Sequence, residues 1–127
     1  MFPNPSDLTL RAVDLAIEVH QQILMRTREA LAKVHVAGDD PNPFRRQATR
    51  STEAIEGLRH LADQIRTAAV TVPPATSMDI ERLQGLSQEV RGLAVTSASL
   101  DATLAVLGSL AQNLDFTMGA FAPDNQP

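Results

Sequence analysis

Residues 83–121 carry apolar or small side chains at alternating three- and four-residue steps: Leu83, Leu86, Val90, Leu93, Ser97, Leu100, Leu104, Leu107, Ala111, Leu114, Met118 and Phe121. No proline interrupts the run, and its charged residues fall off the stripe. At 3.6 residues per turn such spacing keeps every member on one side of an α-helix, and its persistence is that of a coiled-coil-type seam. It predicts one long helix over about 77–121. A seam of that length must be buried against other helices, because nothing else in the chain alternates with the period of a strand.

Two further seams precede it. Leu10, Val13, Ile17, His20, Leu24, Thr27, Leu31 and Val34 keep the same alternation and predict a first helix over about 6–36. Asn4 or Ser6 is placed to cap it, with Pro5 or Asp7 at its first position. Its N-terminal half is apolar on another face as well, through Leu8, Ala12, Leu15 and Val19, which is more than one seam requires. Gly38 and Pro41 close this helix, and Asn42-Pro43 opens the next. The second seam runs Phe44, Ala48, Ser51, Ile55, Leu58, Ala62, Ile65, Ala69, Val72, flanked by Ala54, Leu61 and Ala68. It predicts a helix over about 43–72 that Pro73-Pro74 ends. Thr76 and Asp79 have the spacing of a capping box for the third helix. Residues 1–5 and 122–127 read as tails.

Short turns make consecutive helices antiparallel. Folding the chain at its two turns stacks the seams in layers such as His20/Leu58/Val90, Leu24/Ile55/Leu93 and Thr27/Ser51/Ser97. The expected fold is a single all-α domain: an antiparallel, coiled-coil-like three-helix bundle with an extended third helix. Thr27, Ser51 and Ser97 share one layer and His20 lies two layers away, which makes these four a candidate polar core layer. Two readings stay open: hydroxyls bonded to their own i−4 carbonyls, or a register-setting layer or small wet cavity.

The helices differ in length. The first two would be about 45 Å long and the third about 65 Å, so the third outruns its neighbours after about residue 106. The overhang is apolar, and a stripe of that kind calls for cover. Leu107, Leu110, Leu114, Phe116, Met118 and Phe121 are therefore candidate partner-binding residues. The cover is a second copy of the chain, most simply in a dimer, or another helical protein, or the chain itself if a kink near Gly108 turns the end back as a short fourth helix.

Composition removes several function classes. The formal net charge is −4, which argues against nucleic acid as a partner, as does the lack of aromatics interleaved with basic residues. Ten of the eleven cationic residues are arginine, a bias attributed to a GC-rich genome rather than to function. There is no cysteine, so disulfides, thiolate metal sites and thiol catalysis are excluded. No run approaches the ~18 apolar residues of a membrane span, and the N-terminus lacks the pattern of a secretory signal, so a cytoplasmic location is expected.

Candidate chemistry is sparse. Glu53, Glu56 and His60 share one helix, but no Glu-x-x-His pair of the di-iron bundles occurs, and these residues read as a solvated face. His60 and His20 lack the flanking residues of phosphotransfer histidines. There is no glycine-rich phosphate loop and no G-x-S-x-G elbow. No metal or cofactor is expected. Arg45, Arg46 and Arg50 open the second helix against its macrodipole, which makes them a candidate anion-binding cluster unless Asp39 and Asp40 neutralise them.

These readings point to a non-enzymatic structural or adaptor protein acting through helix–helix association. The alternative is a small ligand- or anion-binding, sensory bundle that uses the polar layer or the arginine cluster. No motif identifies a family.

Overall fold

The computed structural model describes residues 5–121. The capping of the first helix by Asn4 or Ser6 and the C-terminal tail lie outside what is described. The chain is all-helical: α1 spans Pro5–Ala37, α2 Asn42–Arg66, α3 Ser77–Arg91 and α4 Leu100–Gly119, with a 3₁₀ turn at Ser97–Ser99 before α4. No helix among the described residues is long and apolar enough to cross a membrane. The expected long third helix is two helices, so four helices pack, as the fold-back alternative had it and not the three-helix bundle.

The break comes at Gly92–Thr96, not near Gly108, which lies inside α4. Two causes act together. Gly92, the β-branched pair Val95-Thr96 and the serines that follow are poor helix formers. In addition, Arg26 of α1 clasps the last carbonyls of α3, its Nη2 donating to Arg91 O at 2.8 Å and its Nε to Val90 O at 3.3 Å. A guanidinium there satisfies acceptors that a continuing helix would have used and complements the negative end of the helix dipole. Leu93 and Val95 still pack against the core from the irregular segment. That is why the apolar alternation runs through a stretch that is not helical.

α2 also ends earlier than its seam suggests. Ala68 is left-handed, with φ 58°. Around it Ala69 N donates to Gln64 O at 2.9 Å and Ala68 N to Ile65 O at 3.2 Å, the two bonds of a Schellman motif with alanine in the place glycine usually takes. The following segment is tied to α1: Ala75 N donates to Thr9 Oγ1 at 3.1 Å, and Val70 and Val72 pack on Val13, Ala62 and Ile65. The capping box forms at the start of α3. Asp79 N donates to Thr76 Oγ1 at 3.2 Å, and Thr76 N returns a bond to Asp79 Oδ2 at 2.9 Å.

α1 is the common wall of the bundle and touches each of the other helices. Its Val13 packs with Ala62 and Ile65, and its Val34 with Phe44, so α2 runs antiparallel to it. Thr9 meets Ala75 and Gln22 meets Ser87, so α3 runs parallel to it. Leu100 packs near Ala30 and Val34 while Asp115 lies beside His20, so α4 returns antiparallel. Among the described residues the backbones of α2 and α3 do not approach each other, so the expected three-way layers do not form. α3 packs instead on the second apolar face of α1, that of Ala12, Ala16, Val19 and Ile23, together with α4. Of the excess apolar residues noted in the N-terminal half of α1, Ala12 and Val19 are buried here and Leu15 packs half-buried, while Leu8 stays exposed.

The fold-back consumes the stripe expected to overhang. Leu107, Leu110, Leu114 and Phe121 are buried in the chain's own core, and Met118 packs against it half-buried. Phe116 alone among the six candidate partner-binding residues faces outward, at 82% exposure. The pair Leu114 and Phe116 therefore separates the two arrangements. Leu114→Ala is expected to cost about 2–5 kcal/mol and Phe116→Ala to stay within about 0.5 kcal/mol, read from urea unfolding. Equal, small effects would mean that α4 does not fold back.

Candidate functional site

Most seam residues of α1 and α2 face inward, and the residues flanking those seams, together with Leu24 and Ile55 of the seams themselves, shape the outer surface between the two helices. Gln21, Leu24, Met25, Arg28 and Glu29 from α1 and Thr52, Ile55, Glu56 and Arg59 from α2 line a groove of about 680 Å³. Its floor is apolar. Leu24 is half-buried, Ile55 is buried, and Met25 stands 60% exposed. A thioether in that position is adaptable and polarisable, suited to surfaces that repack against a visitor. Charges border the floor. Glu29 is held by Arg26, Nη1 to Oε1 at 3.2 Å. Arg28, Glu56 and Arg59 make no ion pair within 4.0 Å among the described residues. The antiparallel register of α1 and α2 sets Arg59 near one end of the groove and Arg28 near the other, about 11–14 Å apart along the helices.

Sequence reasoning did not find this groove. Only Leu24 and Ile55 of its lining belong to the seams, where they are read as core, and the rest belong to no motif. The one signal was Met25, a large apolar residue off the seam with polar residues one turn away on its own side of the helix, Gln21, Arg28 and Glu29.

Of the four candidate polar-layer residues, His20, Thr27 and Ser51 are buried. Thr27 Oγ1 donates to Ile23 O at 2.7 Å, the i−4 bond anticipated for a seam hydroxyl. Ser51 Oγ accepts from Gln47 Nε2 at 3.3 Å inside the bundle. Ser97 is not a member. It lies exposed in the 3₁₀ turn, because the helix that would have carried it inward has broken. The buried Gln47 on α2 and Thr103 on α4 supply the polar residues at this end instead.

His20 is 3% exposed on the inner side of α1. Its Nε2 lies 3.7 Å from Asp115 Oδ1 on α4, beyond hydrogen-bond reach, and its Nδ1 has no partner among the described residues. A proton on Nε2, facing the carboxylate, leaves Nδ1 as an unpaired acceptor, the cheaper of the two orphans.

Arg45, Arg46 and Arg50 are all exposed and, with Asn42 and Thr49, border a shallow hollow of about 360 Å³. Asp40 does not neutralise them by direct pairing. Its Oδ1 accepts from Asn42 N at 3.0 Å, and none of the three arginines makes an ion pair within 4.0 Å among the described residues. Glu53, Glu56 and His60 are exposed on the outer side of α2. No set of three or more His, Asp or Glu side chains among the described residues is arranged to hold a metal ion.

Comparison of the chain with protein-family models, with curated proteins and with solved structures found no match.

The environment of His20 has a consequence for stability. Burial lowers its pKa from the ordinary 6.5, and the nearby Asp115 carboxylate opposes that shift. The folded chain thus keeps His20 neutral at pH values where the unfolded chain takes up a proton. Below about pH 6.5 the unfolded state binds more protons, so this group's contribution falls with pH through the window between 6.5 and the lowered folded value, and is constant above it. The slope is at most about 1.4 kcal/mol per pH unit. Urea midpoints measured at pH 5, 6 and 7.5 are expected to show this loss. His20→Leu should flatten it relative to the parent chain, and Asp115→Asn should deepen it.

Proposed function

We propose that the protein is a non-enzymatic adaptor that receives an amphipathic helical segment of another protein in the groove between α1 and α2. The observation that carries this reading is the combination of an apolar floor with arginines at its two ends that make no ion pair among the described residues. Apolar anchors at helical spacing would cover Leu24, Met25 and Ile55, in the manner of helix-in-groove recognition. Carboxylates two turns apart on the incoming helix would meet Arg28 and Arg59, and a basic residue between them would face Glu56. Both signs of charge on the lining favour a peptide with its own mixed pattern over a polyanion.

The reading keeps the sequence-based expectation of helix–helix association and moves it to a different surface, since Leu107, Leu110, Leu114 and Phe121 are engaged in the chain's own core. The sensory alternative has less support: the hydroxyls of Thr27 and Ser51 are engaged within the chain, and the three arginines of α2 border only a shallow hollow.

Fluorescence anisotropy with labelled helical peptides tests the proposal. Peptides carrying acidic residues at i and i+7 around a central leucine should bind in the micromolar range. Their lysine-substituted counterparts should not. Arg59→Glu and Met25→Glu should each weaken binding at least about tenfold, the scale of a lost charge pair or apolar anchor. Failure of the acidic series to bind at all, or binding indifferent to both substitutions, overturns it.

A further inference from the structure

On the far side of α1 from that groove, α3 and α4 form a second outward face. Arg82, Gly85, Leu86 and Glu89 of α3 and Asn113 and Phe116 of α4 border a hollow of about 440 Å³. Phe116 is the most exposed large aromatic of the described chain, 82% open to solvent. The space over Gly85 is open as well, since a methyl group added there would meet nothing within 4 Å. The face thus sets a projecting ring beside a recess, the form of a surface that is complementary to itself.

The charges carry the same symmetry. Arg82 and Glu89 lie two helical turns apart on one stripe of α3, and the midpoint between them falls between Gly85 and Leu86. A two-fold axis through that midpoint, perpendicular to the helix, would lay α3 antiparallel on its copy. Each Arg82 would then stand opposite the other chain's Glu89, and the glycines would cross near the axis, where their lack of a side chain permits close approach. Phe116 borders the same hollow, so the two rings would meet at the axis too. Within one chain neither Arg82 nor Glu89 forms an ion pair within 4.0 Å among the described residues, although the Arg82 charge does act on Asp79.

We infer that this α3/α4 face binds a second copy of the chain in an antiparallel, two-fold dimer centred on Gly85 and Phe116. The inference stands apart from the groove reading and uses none of its residues. The face is about 22 Å long and two helices wide, on the order of 450 Å² per copy, which lies at the low end for specific association. The dimer is therefore expected to be weak and concentration-dependent, dissociating in the range of about 10 to about 500 µM.

Sedimentation velocity on the full chain tests this across that range. The parent chain should move from monomer to dimer, and Phe116→Glu should weaken the dimer at least about tenfold. Arg82→Glu and Glu89→Arg should each be monomeric alone, because each sets like charges across the axis twice. Mixed in equal amounts, these two variants should form a heterodimer, because both cross-axis pairs then have opposite signs. All three positions are exposed, so helix content and melting temperature should match the parent and exclude misfolding as the cause. A parent chain that stays monomeric up to about 1 mM overturns the inference. So does a dimer indifferent to Phe116→Glu, or a mixture of the two charge variants that fails to associate.

Discussion

The structure depends on a first helix that must be covered on more than one side. Val13 and Val34 pack on α2 and the buried His20 lies beside Asp115 of α4, while Ala12, Ala16, Val19, Ile23 and Ala30 occupy the side taken by α3 and α4. A helix with so wide an apolar surface is stable only as an interior element. α2 alone cannot cover it, and neither can α2 with one straight helix, because a straight helix follows one side of its neighbour. The C-terminal third meets the demand by breaking, so that α3 ascends along α1 and α4 returns. Alanines at three of the five positions on that side of α1 let the neighbouring backbones come close.

This demand explains which parts of the fold were legible. α1 was expected over 6–36 and spans Pro5–Ala37, because its seam, its proline at the start and its Gly38 all act locally. The Thr76/Asp79 box is local in the same way. The break at Gly92–Thr96 is partly a tertiary event. Its backbone signal was present in Gly92, Val95 and Thr96, but the apolar alternation outweighed it, and the guanidinium of Arg26 that receives the end of α3 comes from 65 residues away. From that one misreading followed the overhang and the assignment of Leu107, Leu110, Leu114 and Phe121 to a partner. The early end of α2 was hidden for a related reason: an alanine takes the left-handed position that a glycine would have announced.

The polar interior was read with the same mixture of success and error. Thr27 and Ser51 lie on seams that remained intact, so their placement survived. Ser97 depended on the helix that broke. Gln47 and Thr103 entered the core because four helices, unlike three, bury residues that flank a heptad seam. The α1/α2 groove is the converse case. Arg28, Glu56 and Arg59 look like ordinary solvated charges along the chain, and only the relative placement of two helices turns them into the border of an apolar floor.

The two outward faces lie on opposite sides of α1, since Gln21, Met25 and Arg28 point away from the side of Ala16, Val19 and Ile23 that holds α3 and α4. This geometry ties the two proposals together without making one depend on the other. A dimer joined at α3/α4 would leave both grooves open and directed outward, related by the two-fold axis. A partner with two suitable helical segments, or a partner that is itself dimeric, would then bind its second site intramolecularly. Avidity of that kind lets shallow grooves of modest individual affinity act together, provided the linkage spans the distance between them. A weak dimer would add a second control: occupancy of both grooves by one partner would favour the paired state by the same free energy that pairing adds to the binding.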